Sequence, residues 1–119
     1  MATSTPWGAA QSAYKIAPGI MDYSTASHGG IHVSPKVNGL IPDYMRRADG
    51  WYEEDCDWCI PVIALTGKIE LNLEHIINEG SAYFTAWETL KNWHPEKFER
   101  FFKCTLQPGE SYLKDKPFK

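Results

Sequence analysis

An acidic and aromatic run at residues 51–58 is the part of the sequence best equipped for recognition. The run supplies six residues that we predict to bind: Trp51, Tyr52, Glu53, Glu54, Asp55 and Asp57. Clustered carboxylates can meet a basic patch on a partner protein, and an adjacent large aromatic side chain can anchor the contact. Two alternatives stay open. The run could be the acidic first turn of a helix with its Trp residues in the core, or it could help to hold a hard cation such as Mg²⁺.

A histidine followed by two glycines is the second candidate for binding chemistry. His28, Gly29 and Gly30 could form a turn whose backbone N–H groups hold an anion while the imidazole exchanges a proton near neutral pH. The plainer interpretation, that the glycines make a turn between two strands, is favoured because no helix clearly follows to supply an anion-binding N-terminus. No phosphate-binding or dinucleotide fingerprint is present, and Ser27 beside His28 is not a triad, so we predict no catalytic residue.

The cysteines offer a CxxC pair, Cys56 and Cys59, that could bind zinc or exchange a disulfide. Zinc needs two further ligands, and Cys104, His75 and His94 stand at no recognised spacing. We therefore expect two small, buried, reduced thiols, no metal and no cofactor. His75 itself is expected to be a core or boundary residue.

Composition limits the remaining function classes. The chain has 119 residues, of which 43% are hydrophobic and 13% aromatic, and its formal net charge is −3. This size and composition predict one domain over residues 1–119, with residues 1–10 and 105–119 extended or loosely ordered. The Lys and Arg residues are scattered, which disfavours direct nucleic-acid binding. No apolar run approaches the length of a membrane span and no secretory signal is recognisable, so we expect a cytoplasmic protein.

The elements that must position these residues are predicted to form an α+β fold. A hairpin around Pro18 and Gly19 (residues 12–16 and 20–25) and a short strand (31–33) make a small N-terminal antiparallel sheet that packs with several helices. Three of the predicted helices begin at Ser34, at Ser81 and after His94. Two more span residues 51–65, with a kink or a break at Pro61, and residues 70–78.

Four motifs resemble a domain of unknown function found in phage, plasmid and other mobile-element proteins. They are TPWG at residues 5–8, IAPGI at 16–20, SHGG at 27–30 and GWYEEDCDW at 50–58. The resemblance implies no activity. Its setting implies, by association only, a protective or counter-defence role in the host cell.

Three functions are therefore considered. The leading hypothesis is a mobile-element accessory protein that binds and inhibits a host defence component, as anti-CRISPR and antirestriction proteins do, through the acidic and aromatic residues. The second is a protein or enzyme that acts on a phosphate- or nucleotide-like ligand where His28, Gly29 and Gly30 face the acidic cluster. The third is a structural virion or assembly protein, for which a homodimer or larger oligomer is expected.

Overall fold

The first half of the chain is built mainly of β-strands and the second half of α-helices. In the computed structural model, which describes residues 3–76 and 81–115, the strands are β1 (Ser4–Thr5), β2 (Gly8–Ala9), β3 (Ser12–Ala17), β4 (Ile20–Ser24), β5 (Gly29–Val33) and β6 (Trp51–Glu53). The helices are α1 (Pro35–Asn38), α2 (Cys59–Leu65), α3 (Ala82–Trp93), α4 (Pro95–Phe102) and α5 (Tyr112–Asp115). The predicted α+β class is confirmed.

Strands β3 to β6 form one antiparallel sheet in sequence order. The predicted hairpin joins β3 and β4: Ala17 pairs with Ile20, and Gly19 takes the positive φ of 85° that this tight turn requires. Because side chains alternate along a strand, the sheet has two faces. One of them, the core face, carries buried residues from all four strands: Ile16, Ile20, Ile31, Val33 and Tyr52.

Helix α2 lies at the centre of the hydrophobic core. All seven of its residues are buried, and it packs against α3, which contributes Ala86 and Leu90. Phe98 of α4 joins the same cluster as the core face of the sheet. A helix that is apolar on every side is stable only when it is enclosed in this way, and the sheet and α3 supply that enclosure.

The prediction of a helix over residues 51–65, kinked or broken at Pro61, was wrong for residues 51–58 and correct for the buried apolar end, which is α2. The first three residues pair with β5 as strand β6, and turns separate them from α2. Trp51 and Glu53 are partly exposed whereas Tyr52 is buried, which is the two-residue period of a strand. Pro61 needs no kink because it is the third residue of α2, where backbone N–H groups have no intrahelical acceptor.

The helix predicted over residues 70–78 is also wrong within the described part of the chain, and residues 77–78 lie outside the described residues. Residues 70–76 run irregularly beside β3, where the Asn72 N–H donates a hydrogen bond to the Ile16 carbonyl at 2.8 Å. Leu71 and Leu73 both pack against the core. Their alternation suits an extended segment as well as a helix, so the periodicity was ambiguous.

The other helix starts agree with prediction. Ser34 caps α1 and Ser81 caps α3, each accepting a backbone N–H bond on its side-chain oxygen. Helix α4 follows His94 as expected and ends at Phe102.

The described parts of the two terminal segments contain short regular elements. In the first ten residues β1 and β2 form a hairpin, and the Trp7 ring packs edge-on against Trp51 at 5.6 Å between centroids. Near the other end, Leu106 and Ser111 are buried beside the short helix α5.

Candidate binding pocket

A concave site of about 470 Å³ lies at the polar end of the core face of the sheet. We call it the sheet-end pocket. It is enclosed by the sheet, the turn after β6, the segment 70–76 and α3, and its lining comprises Ser12, Tyr14, Asp22, Tyr23, Ser24, Gly30, Ile31, Glu54, Trp58, His75, Ile76, Thr85 and Thr89. Its volume is typical of small-ligand sites.

An aspartate–histidine pair forms one wall of the pocket. Nε2 of His75 lies 2.6 Å from Oδ2 of Asp22, and the Tyr14 ring stacks on the imidazole with 3.8 Å between centroids. Tyr14 and Asp22 are paired neighbours on β3 and β4, which is why both reach the same imidazole. The pair fastens segment 70–76 to the sheet.

The position of Asp22 changes its acidity. Burial raises the pKa of the Asp22 carboxyl above its ordinary value, and the hydrogen bond and charge of His75 offset that effect only in part. The second nitrogen of His75, Nδ1, is buried and has no hydrogen-bond partner among the residues that the structure describes. Buried polar atoms are usually satisfied, so this pair is an exception of the kind that functional sites contain.

The acidic run at residues 53–57 divides into two structural and two exposed carboxylates. Glu53 accepts hydrogen bonds from the backbone N–H groups of Asp55, Cys56 and Asp57, and so holds the turn after β6. Asp57 lies 3.1 Å from Nε2 of His94. Glu54 and Asp55 remain on the surface.

Tyr52 is not part of any surface, contrary to its assignment as a possible anchor. Its exposed fraction is 0%, its hydroxyl donates to Oδ1 of Asn38 at 2.6 Å, and it accepts the N–H of Arg47. Burial raises the pKa of this hydroxyl. Tyr52 therefore stabilises the fold.

The glycine pair lies in a strand and not in a turn. Gly29 and Gly30 begin β5 and pair with Ser24 and Tyr23 of β4, so their backbone groups belong to the sheet. The turn is residues 25–28, closed by the Thr25 N–H to the His28 carbonyl at 2.7 Å. A Cβ on Gly30 would lie 2.5 Å from the Trp7 ring, so glycine is needed there for close approach.

His28 does meet the acidic run, but through a single carboxylate. Its Nδ1 lies 3.9 Å from Oε2 of Glu54, and both side chains are about half exposed. Glu54 lines the sheet-end pocket, which places His28 beside its rim.

Trp51 lies on the opposite face of the sheet from the pocket. Its ring contacts Trp7, Tyr23 and His32, with centroid separations of 5.6, 5.7 and 4.4 Å. Segments 5–8, 27–30 and 50–58 thus meet around one aromatic cluster, with Gly30 making room for Trp7.

Comparison with known families confirms that the chain contains a domain of unknown function. A family model described as a domain of unknown function, DUF7007, matches residues 1–118. The chain belongs to the DUF7007 family. No curated protein and no solved structure matches it.

Two other kinds of site have little support in this DUF7007 chain. Burial raises the pKa of both Cys56 and Cys59, so the CxxC thiols are held in the less reactive protonated form. Within residues 3–76 and 81–115, no group of three or more His, Cys, Asp or Glu side chains is arranged to hold a metal. None of the described helices could span a lipid bilayer.

The central residues of the pocket, Asp22 and His75, were missed by sequence reasoning. One signal was present: in the predicted hairpin, Asp22 stands two residues from Ile20 and so shares its face, which puts a carboxylate on an apolar face. Nothing local identified His75 as its partner, because 53 residues separate the two.

Proposed function

We propose that this protein is a small binding protein that holds a polar ligand in the sheet-end pocket. The observation that supports this is the convergence of two carboxylates, the imidazole paired with Asp22 and several hydroxyl groups in one concave site. A pocket with a few convergent polar groups and a carboxyl of raised pKa is the default candidate for a binding site.

Binding is favoured over catalysis by the geometry of His75. A general base needs a free ring nitrogen within hydrogen-bond reach of a reacting group. Here Nε2 is engaged by Asp22, and Nδ1 is buried away from any described hydroxyl or thiol that it could activate. The imidazole thus lines the site, and its contact with Asp22 holds segment 70–76 against the sheet.

The test is a ligand screen followed by amide NMR, with the pocket blocked in one variant. Thr85→Phe places a large side chain into the site from α3. Thr105→Phe makes the same change at an exposed threonine outside the pocket lining. We expect ligands to shift the amides of Ser24, Ile31 and Thr89 in the native protein and in Thr105→Phe, but not in Thr85→Phe. Ligands that bind equally well to Thr85→Phe would refute the proposed site.

A second candidate function is inhibition of a host defence protein by the exposed part of the acidic run. The mobile-element setting implied by the resemblance would place such an inhibitor in the host cytoplasm. Glu54 and Asp55 are exposed on the turn after β6, and carboxylates in that position are free to meet a basic partner. His28 stands beside Glu54.

This second function is tested with charge reversal at the two exposed residues only. Reversing Glu53 or Asp57 would disturb the turn and the contact with His94, so those changes cannot separate binding from folding. We expect Glu54→Lys/Asp55→Lys to lose a partner that Asp43→Lys, an exposed control, retains. Retention by both variants would reject an acidic interface. The virion-assembly hypothesis stays a prediction that light scattering of the purified protein can test.

A further inference from the structure

We propose that the sheet-end pocket selects a cationic nitrogen group, an ammonium or a guanidinium, and not a phosphate. This inference rests on the proposed function and adds the chemical class of the ligand. It replaces the phosphate- or nucleotide-like ligand that the sequence suggested for this part of the molecule.

Three hydroxyl groups of the pocket, those of Tyr14, Thr85 and Thr89, are free only to accept a hydrogen bond. The Tyr14 hydroxyl donates its hydrogen to Oδ1 of Asn72 at 2.9 Å. On α3, the hydroxyls of Thr85 and Thr89 donate theirs to backbone carbonyls one turn earlier, at 3.2 and 2.8 Å. A hydroxyl has one hydrogen and two lone pairs, so each of these three oxygens retains only acceptor capacity. A ligand that fits them must donate.

The charges of the pocket favour the same class of ligand. Asp22 and Glu54 line it, and no Lys or Arg is found among its described lining residues. Ionised carboxylates are pure hydrogen-bond acceptors, and they repel an anion. Only one oxygen of Asp22 is engaged by His75, which leaves Oδ1 for a donor.

Aromatic side chains complete the match. Trp58 and Tyr14 both line the pocket, and the face of an aromatic ring attracts a cation that lies within roughly 6 Å. Ammonium and guanidinium groups combine several N–H donors with positive charge, and neither has an acceptor. Phosphate is negatively charged and mainly accepts hydrogen bonds, so it does not match these groups.

A second concave region of the molecule carries more basic than acidic side chains. It adjoins the start of α4 and is lined by Arg46, Arg47 and Lys97 with His94, as well as by Asp49 and Asp57. Anions added to the protein have this region available, so it serves as an internal comparison for any ligand titration.

The experiment titrates the full chain with methylguanidinium, n-butylammonium, inorganic phosphate and glucose, each at constant ionic strength, and follows amide NMR shifts. We expect the two cations to give saturable shifts at Ser24, Ile31 and Thr89. Phosphate and glucose are expected to leave these amides unmoved. Binding of phosphate or glucose in the pocket would overturn the ligand class while leaving the proposed binding function intact.

Variants locate the binding groups. Glu54→Gln keeps the shape of a lining carboxylate but removes its charge, and we expect the cations to bind about tenfold more weakly. Thr89→Val removes one acceptor at nearly constant volume, with an expected loss of about threefold. Asp55→Asn removes an exposed charge outside the pocket lining and should change the affinity less than about twofold. Equal losses in Glu54→Gln and Asp55→Asn would show diffuse attraction to the acidic surface and overturn the proposal. If none of the four probes shifts the pocket amides at any concentration, the cationic class is overturned, and the ligand screen with Thr85→Phe decides the proposed binding function separately.

Discussion

Within residues 3–76 and 81–115, two aspartate–histidine pairs have similarly short separations but differ in their electrostatics. Asp22 and His75 are 2.6 Å apart at the sheet-end pocket, and Asp57 and His94 are 3.1 Å apart beside the start of α4. The pKa of Asp22 is raised, chiefly by burial, whereas that of Asp57 is lowered, chiefly by its hydrogen bond with His94.

The difference comes from the surroundings of each carboxylate. Arg47 lies 3.9 Å from Asp57, and Lys97 adds favourable charge, so the ionised form is stabilised from several directions. Asp22 has His75 as its one described ion-pair partner. The Asp57 pair is consequently expected to stabilise the fold, whereas the Asp22 pair keeps a costly charge beside an open pocket.

Neutralising each aspartate should therefore have unequal effects on stability, and this is the largest difference that we expect. Asp57→Asn should lower the free energy of unfolding by about 1–3 kcal/mol, because it weakens charge-assisted contacts to His94 and Arg47. Asp22→Asn should change it by less than about 1 kcal/mol, because the amide avoids the burial penalty of the carboxylate. Urea denaturation at pH 7 measures both, with Asp43→Asn as an exposed control. Equal losses of unfolding free energy in Asp57→Asn and Asp22→Asn would show that the two pairs contribute alike to stability.

The two carboxyls should also give opposite pH dependences. The pKa of Asp57 is lower in the folded protein than its ordinary value of 3.8, so its stabilising contribution is present above that pH and is lost as the pH falls through the folded value. The pKa of Asp22 is higher than 3.8 in the folded protein, so its contribution is lost as the pH rises from 3.8 through the folded value.

Denaturation between pH 2 and pH 7 tests these signs. Relative to the native protein, Asp57→Asn should flatten the loss of stability at the acid end. Asp22→Asn should instead become relatively more stable as the pH rises through the folded pKa of Asp22. Parallel curves for the two variants would contradict the assigned directions.

The sequence predicted the scaffold better than it predicted the site. The Pro18–Gly19 turn and the Ser81 cap could be predicted because each depends on adjacent residues. The pocket depends on tertiary contacts: it needs strand β4 to lie beside the irregular segment that carries His75, and that segment was predicted as a helix. Likewise, the sequence alone suggested that the acidic run forms one exposed surface. In the structure Glu53 accepts backbone hydrogen bonds and Asp57 contacts His94, so these two carboxylates are not free.

A cation bound in the sheet-end pocket should reduce the difference between the pKa values of Asp22 and Asp57. If methylguanidinium occupies the sheet-end pocket, its positive charge favours the ionised form of Asp22, and the pKa of this carboxyl should fall. Asp57 faces the other concave region, so its titration should not change. Carboxyl ¹³C shifts followed against pH, with and without the ligand, report both groups in one sample. A fall at both residues would indicate that the cation associates with carboxylates without regard to the pocket.

The smallest expected effect concerns the ring that covers His75. Tyr14→Phe retains the stacked ring but removes the hydrogen bond to Asn72, which is exposed to solvent, so stability should fall by less than about 1 kcal/mol. Tyr14→Leu removes the stack as well and should loosen segment 70–76. Hydrogen exchange at the amides of Asn72 and Ile76, which donate to the carbonyls of Ile16 and Leu73, distinguishes these cases: Phe should preserve their protection and Leu should reduce it. Equal protection in both variants would mean that the contact with Asp22, the Asn72 hydrogen bond and core packing hold the segment without the aromatic ring. The ring would then serve the pocket and not the fold.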